Sequence, residues 1–159
     1  PVLVMEKALV ADSAGPGRQR GGLGQRMRAR RLYADAEPIM VGLYPEGVGL
    51  KPEGLFGGKP GAPGRGMVKA PGEITPRDVG TGEMVALLDP ASEIEGRIAG
   101  GSGFGEAWQR SLEAVQADLD DNYITPEGAM RDYGVVLGAD GRIDPVASAR
   151  RRAEHQAAD

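Results

Sequence analysis

The sequence predicts an α+β fold: glycine-rich β-structure with long ordered loops in the N-terminal half, then two or three short helices. Three observations carry this prediction. From Val2 to about Leu88, short apolar runs are separated by glycine turns, the pattern of β-structure. After Ala99 to Gly105, apolar residues recur instead at helical spacing. The composition, 26 Gly and 12 Pro in 159 residues with few aromatics, leaves Val, Leu, Ile, Ala and Met to fill a thin core, which favours burial against a partner.

The candidate strands are Val2 to Met5, Gln25 to Tyr33, Ile39 to Tyr44, Met67 to Val68 and Met84 to Leu88. In the second, Arg26, Arg28 and Arg30 point to one face, while Met27, Ala29, Arg31 and Tyr33 point to the other. That basic face has two readings: a solvated edge strand whose like charges discourage aggregation, or a surface turned toward an anion or another subunit. Between Pro45 and Gly82 lie eleven glycines and six prolines with no sustained period. Such a loop is either partly mobile or ordered by another chain, and the dispersed apolar residues Leu55, Phe56, Met67 and Val68 favour order.

The C-terminal third reads as helices. Trp108, Leu112, Val115 and Leu119 form an amphipathic stripe that stops at Asp120-Asp121-Asn122, with Trp108 as a core or interface anchor. Thr125-Pro126 reads as N-cap and first position of a second helix, closed by Tyr133-Gly134. Val135 to Leu137 and Arg142-Ile143 flank G-A-D-G as a hairpin. Asp144-Pro145 opens a last polar helix carrying Arg150, Arg151 and Arg152, which is expected to fray. The expectation is one domain, 1–159, with a β- and loop-rich part over 1–90 and a helical part over 91–159.

Charge and cysteine content exclude several functions. A net charge of −4 argues against general nucleic-acid binding, and with no cysteine there are no disulfides or thiolate metal sites. The single histidine, His155, is expected to be exposed, and no metal site is expected. No apolar run has membrane-spanning length and no secretory signal is visible, so a cytoplasmic protein without membrane association is expected.

Arginine and lysine thread through two glycine-rich blocks, D-S-A-G-P-G-R-Q-R-G-G-L-G-Q-R (Asp12 to Arg26) and G-L-F-G-G-K-P-G-A-P-G-R (Gly54 to Arg65). Glycine permits close backbone approach and arginine offers bidentate donors. Arg18, Arg20, Arg26, Lys59 and Arg65 are therefore candidates either to hold an anion or to pair with acids on a partner surface. Lys59 is followed by Pro60, so the second block is not a Walker phosphate loop. No catalytic residue is assigned: Asp118, Asp120 and Asp121 read as solvated or capping, Glu93 and Glu95 flank a turn, and Ser13 and Ser102 lack an adjacent base.

These blocks, together with G-G-S-G-F-G (Gly100 to Gly105) and the run from Tyr123 through R-D-Y-G-V-V-L (Arg131 to Leu137), resemble in order the C-terminal segment of the hydantoinase B/oxoprolinase family. Ser102, Phe104, Glu106 and Ala107 depart from the family's usual glycine, tyrosine, aspartate and proline. The resemblance implies the small, non-catalytic subunit of a larger ATP-dependent enzyme, with large hydantoinase A-like and hydantoinase B-like partners. Its leading form is an acetophenone carboxylase-like ligase that joins bicarbonate-derived carbon to a ketone through a phosphorylated enol. ATP and bicarbonate would be bound mainly by other subunits, and no cofactor by this chain alone. The alternatives are a subunit of a cyclic-amide hydrolase of the hydantoinase or oxoprolinase type, and a stand-alone anion-binding module.

Overall fold

The computed structural model describes residues 2–33, 37–44, 47–48 and 53–157. It has the expected mixed architecture, a strand-rich N-terminal half followed by three short helices. Backbone contacts divide it into two compact units, each assembled from three separated segments. The first comprises Pro1–Val10, Gly24–Lys51 and Pro63–Ala99, and the second Ala11–Leu23, Pro52–Ala62 and Gly100–Asp159.

The first unit contains the strands β1 (Val2–Leu9), β2 (Gln25–Arg31), β3 (Ile39–Gly42), β4 (Arg65–Lys69), β5 (Arg77–Val79), β6 (Met84–Leu87) and β7 (Glu93–Ile98). Five form an antiparallel sheet in the order β1-β2-β7-β4-β5, and β3 pairs with β6 in a separate ladder. Two of these strands, β5 and β7, are absent from the sequence reading. The pattern E-I-E-G-R-I places charges at every second position and a glycine inside the run, which conceals that β7 is the central strand. The stretch read as a long loop from Pro45 thus contains β4 and β5, while its residues 45–46 and 49–52 lie outside the described set.

The core of this unit lies between the two ladders. Ala29, Val68, Val79 and Ile94 from the larger sheet meet Val85 and Leu87 of β6, with Ile39, Val41 and Leu43 packed alongside. Alternation explains the selection, since Ala29 faces Ile94 across the β2–β7 ladder and Ile94 faces Val68 across β7–β4. Arg31 also points to this side and is only 2% exposed. Its guanidinium is satisfied by backbone carbonyls, Nε donating to Tyr33 (2.7 Å) and Nη1 to Leu88 (2.7 Å), which offsets the cost of burying it.

The second unit carries a 3-10 turn at Ala107–Gln109 and the helices α1 (Leu112–Asp120), α2 (Pro126–Tyr133) and α3 (Pro145–Gln156). Ser111 caps α1, so Trp108 belongs to the preceding turn rather than to the helix itself. Thr125 caps α2 with Pro126 at its first position, as the sequence indicates. Gly134 ends α2 in the left-handed region at φ 63°, and a Cβ there would stand 2.5 Å from the Trp108 ring, so only glycine fits. Val115, Ile124, Ala129, Tyr133 and Val135 form the core of this unit, with Trp108, Leu112 and Leu119 against it. The last helix, α3, is tied to the rest of the unit. Asp144 caps it, Ser148 is fully enclosed, and Arg152 donates to the carbonyls of Tyr133 (2.7 Å) and Arg110 (2.8 Å). Residues 158–159 of its tail lie outside the described set.

Candidate functional site

The three glycine blocks of the second unit meet in one three-chain weave. Lys59 donates its N–H to the Pro16 carbonyl (2.8 Å), Gly103 to Lys59 (2.9 Å), Gly15 to Gly101 (2.8 Å), and Gln19 and Phe104 exchange a reciprocal pair at 2.9 Å. Glycine is required because the backbones nearly touch. A Cβ on Gly103 would lie 2.5 Å from the Pro16 carbonyl carbon, one on Gly15 2.6 Å from Gly103 N, and one on Gly58 2.7 Å from Phe104 N. The situation parallels the crowded axis of collagen, where only glycine fits. Asp12, at φ 57°, opens the first block by accepting hydrogen bonds from Thr125 N (2.9 Å) and Thr125 Oγ1 (2.6 Å) at the start of α2. A negative charge is favoured at that helix end.

The five candidate cations fall in both units. Arg18, Arg20 and Lys59 lie in the second, Arg26 and Arg65 in the first. Arg20 lies over the Tyr123 ring and donates from Nε to Asp118 Oδ2 at 3.2 Å. Arg110 reaches the same oxygen through Nε at 3.1 Å and Nη2 at 2.9 Å. Asp118 is 5% exposed, so the sequence reading of it as solvated or capping is wrong. It stands three residues beyond Val115, on the buried side of α1, where only a paired carboxylate is tolerated. Lys59 makes a long pair with Asp132 at 3.7 Å, and Arg65 a bidentate pair with exposed Asp78 at 2.8 Å. Arg18 is exposed and makes no ion pair among the described residues; its carbonyl accepts from Arg110.

Arg26 belongs to the basic face of β2, and that face is not on an edge strand. β2 lies between β1 and β7, opposite Arg28↔Glu95 and Arg30↔Glu93 on one side and Arg28↔Glu6 on the other. Glu6 accepts from both Arg26 and Arg28, and Glu93 accepts from Arg28 at 2.6 Å. A β-bulge between Val4 and Glu6 sets this pairing: were Met5 paired regularly with Arg28 instead of bulged, Glu6 would face Met27 on the opposite side of the sheet. The hydrogen bond from Arg26 holds the Glu6 carboxyl below the usual carboxylate range.

No catalytic constellation emerges around these groups. Among the described residues, no set of three or more His, Asp or Glu side chains is placed to hold a metal ion. His155 stacks against Trp108 with ring centroids 3.9 Å apart. Burial pushes the Tyr133 hydroxyl up to about 12. Among the described residues, no helix is long and apolar enough to cross a membrane.

Residues 1–107, two thirds of the chain, match the sequence profile of hydantoinase B/oxoprolinase. The chain belongs to the hydantoinase B/oxoprolinase family. It is 30% identical over 86% of its length to an uncharacterised protein of Methanocaldococcus jannaschii, covering 23% of that protein. It is 29% identical over 98% of its length to caprolactamase subunit beta of Pseudomonas jessenii, covering 26% of it. Acetone carboxylase alpha subunit of Xanthobacter autotrophicus is 26% identical over 97% of the chain and is covered to 24%. The solved ATP-dependent caprolactamase of Pseudomonas jessenii shares the fold with a TM-score of 0.77 at 27% identity, over 96% of this chain and 26% of that one. The chain thus spans about a quarter of the length of these relatives.

Proposed function

We propose that this chain is a structural, non-catalytic part of an ATP-dependent hydantoinase B-type assembly. The observation that carries this reading is the spending of the glycine N–H groups. A phosphate cradle needs free, convergent backbone donors. In the weave, Gly15, Gly21, Gly58, Gly101, Gly103 and Gly105 all donate to backbone carbonyls. Arg20 is likewise committed to Asp118. The donor set therefore does not fit ATP, and the nucleotide belongs on other parts of the assembly, with large hydantoinase A-like and B-like polypeptides as the partners.

For the reaction of the whole assembly, the match to caprolactamase subunit beta over nearly the entire chain supports ATP-dependent opening of a cyclic amide. Ketone carboxylation with bicarbonate is the second reading, supported by the match to acetone carboxylase alpha subunit. The test is ATP turnover by the purified assembly with caprolactam or hydantoin, and with acetone or acetophenone plus bicarbonate. Arg18→Ala and Lys59→Ala in this chain are expected to leave kcat within about twofold. A hundredfold loss in an intact assembly, or turnover by the isolated chain, would overturn the structural role.

A further inference from the structure

The first strand has a sequence that does not match its surroundings in the isolated chain. Val2-Leu3-Val4-Met5 is a continuous apolar run, the signature of a strand covered on both faces rather than of a half-buried edge. Yet Val2, Leu3, Val4 and Met5 are each between 37% and 52% exposed, and Leu9 is 53% exposed. Leu3 and Val4 face opposite sides of the sheet, opposite Arg30 and Ala29, so both faces are bare. β1 also terminates the sheet, and among the described residues it pairs only with β2. Its outer row of N–H and C=O groups is therefore open to another strand.

Natural edge strands are guarded by proline, by charge, by bulges or by brevity; β1 carries such guards only at its Met5 bulge and Lys7, and its first three residues, Val2 to Val4, have none. It is eight residues long and lacks proline, and its one acid, Glu6, is committed to Arg26 and Arg28. The core-side face of the same sheet carries a cavity of about 230 Å³ over β1, β2 and β7, lined by Met27, Leu43, Tyr44 and Ile98 together with Lys7, Gln25 and Arg97. The covered length supplies the occupant: hydantoinase B-type relatives are about four times as long as this chain, and their fold here is represented by a quarter.

We propose that β1 is an interior strand of the complete family fold, its free edge paired with an extended apolar segment from the remaining hydantoinase B-type polypeptide. The inference rests on membership of a larger assembly as argued above and names the surface that joins it. The recognition is β-augmentation: main-chain hydrogen bonds along β1 give affinity, and apolar side chains beside Leu3 and Val4 give register.

The test places a benzophenone photo-cross-linking residue at Val4 in the tagged protein expressed in its source cells. The same replacement at Val146, exposed on α3, is the control. The expected result is a Val4 adduct whose peptide, sequenced by mass spectrometry, lies in a hydantoinase B-type sequence outside residues 1–159. Amides of residues 2–9 should also exchange at least a hundredfold more slowly in the assembly than in the isolated chain. An adduct to a second copy of this chain, to an unrelated protein, or equally from Val146 would overturn the proposal, as would unchanged exchange. If the adduct forms as expected while the assembly shows no ATP-dependent turnover, the functional reading fails and the docking surface stands.

Discussion

Asp118→Asn should destabilise the second unit far more than its place near the end of an acidic helix suggests. Its Oδ2 accepts from Arg20 Nε at 3.2 Å and from Arg110 Nε and Nη2 at 3.1 and 2.9 Å, and all three residues are largely buried. The amide keeps the shape but removes the carboxylate charge that, among the described residues, pairs with two enclosed guanidinium groups. Breaking such a pair from one side costs about 3 to 5 kcal/mol, because the partner charges stay buried. The isosteric amide still offers an acceptor oxygen, which points to the lower end, about 3 kcal/mol. For a chain of this size each kcal/mol moves Tm by about 2–4 °C, so a fall of roughly 6–12 °C is expected. Trp108 is the sole tryptophan and lies in the second unit, so its fluorescence reports this transition specifically. Asp120→Asn is the control: its pair with Arg142 is exposed, and pairs of that kind contribute about 0–1 kcal/mol. If both variants melt within about 2 °C of each other, the buried-pair argument is wrong.

Gly103→Ala should cost about 1–3 kcal/mol or more, since its Cβ meets the Pro16 backbone, whereas Gly22→Ala meets nothing within 4 Å and should be close to neutral; urea unfolding followed by Trp108 fluorescence compares them. Arg26→Ala should remove the hydrogen bond that does most to hold the Glu6 carboxyl low. Because the Glu6 carboxyl is held low in the fold, the stability it contributes is present at neutral pH and lost as pH falls through that lowered value; NMR titration of the Arg26→Ala variant should show Glu6 moved up toward the usual range, and an unmoved Glu6 would refute the assignment. The buried Tyr133 hydroxyl, raised from 10 to about 12, stabilises the fold below pH 10, and this contribution of about 3 kcal/mol is lost as pH rises through 12. Tyr133→Phe should flatten the alkaline limb of the stability curve, and an unchanged limb would refute the assignment.

Legibility followed the range of the determining interactions. Thr125-Pro126 and Tyr133-Gly134 delimit α2 through contacts within one or two turns, and both were readable as caps. β7 was missed although it is central, because its alternating Glu93, Glu95 and Arg97 make sense only beside Arg28 and Lys69 on its neighbours. Asp118 carried a local signal that went unused, a carboxylate on the same helical stripe as Val115, but its partner Arg20 lies 98 residues away. The candidate cations can be named from the sequence, while the ion pairs of Arg20, Arg26, Lys59 and Arg65 depend on acids brought near only by folding.

The sequence by itself determined the family, the α+β class, both ends of α2 and the start of α3, since these rest on ordered motifs, periodicity and local capping. Tertiary structure alone decided that the glycine blocks interlock, because the need for glycine arises from backbones of three distant segments approaching within a Cβ's width. It also decided which charges are spent and which strand is left bare. Neither property belongs to any one segment; each appears only when the ladders form and burial makes an unpaired charge costly.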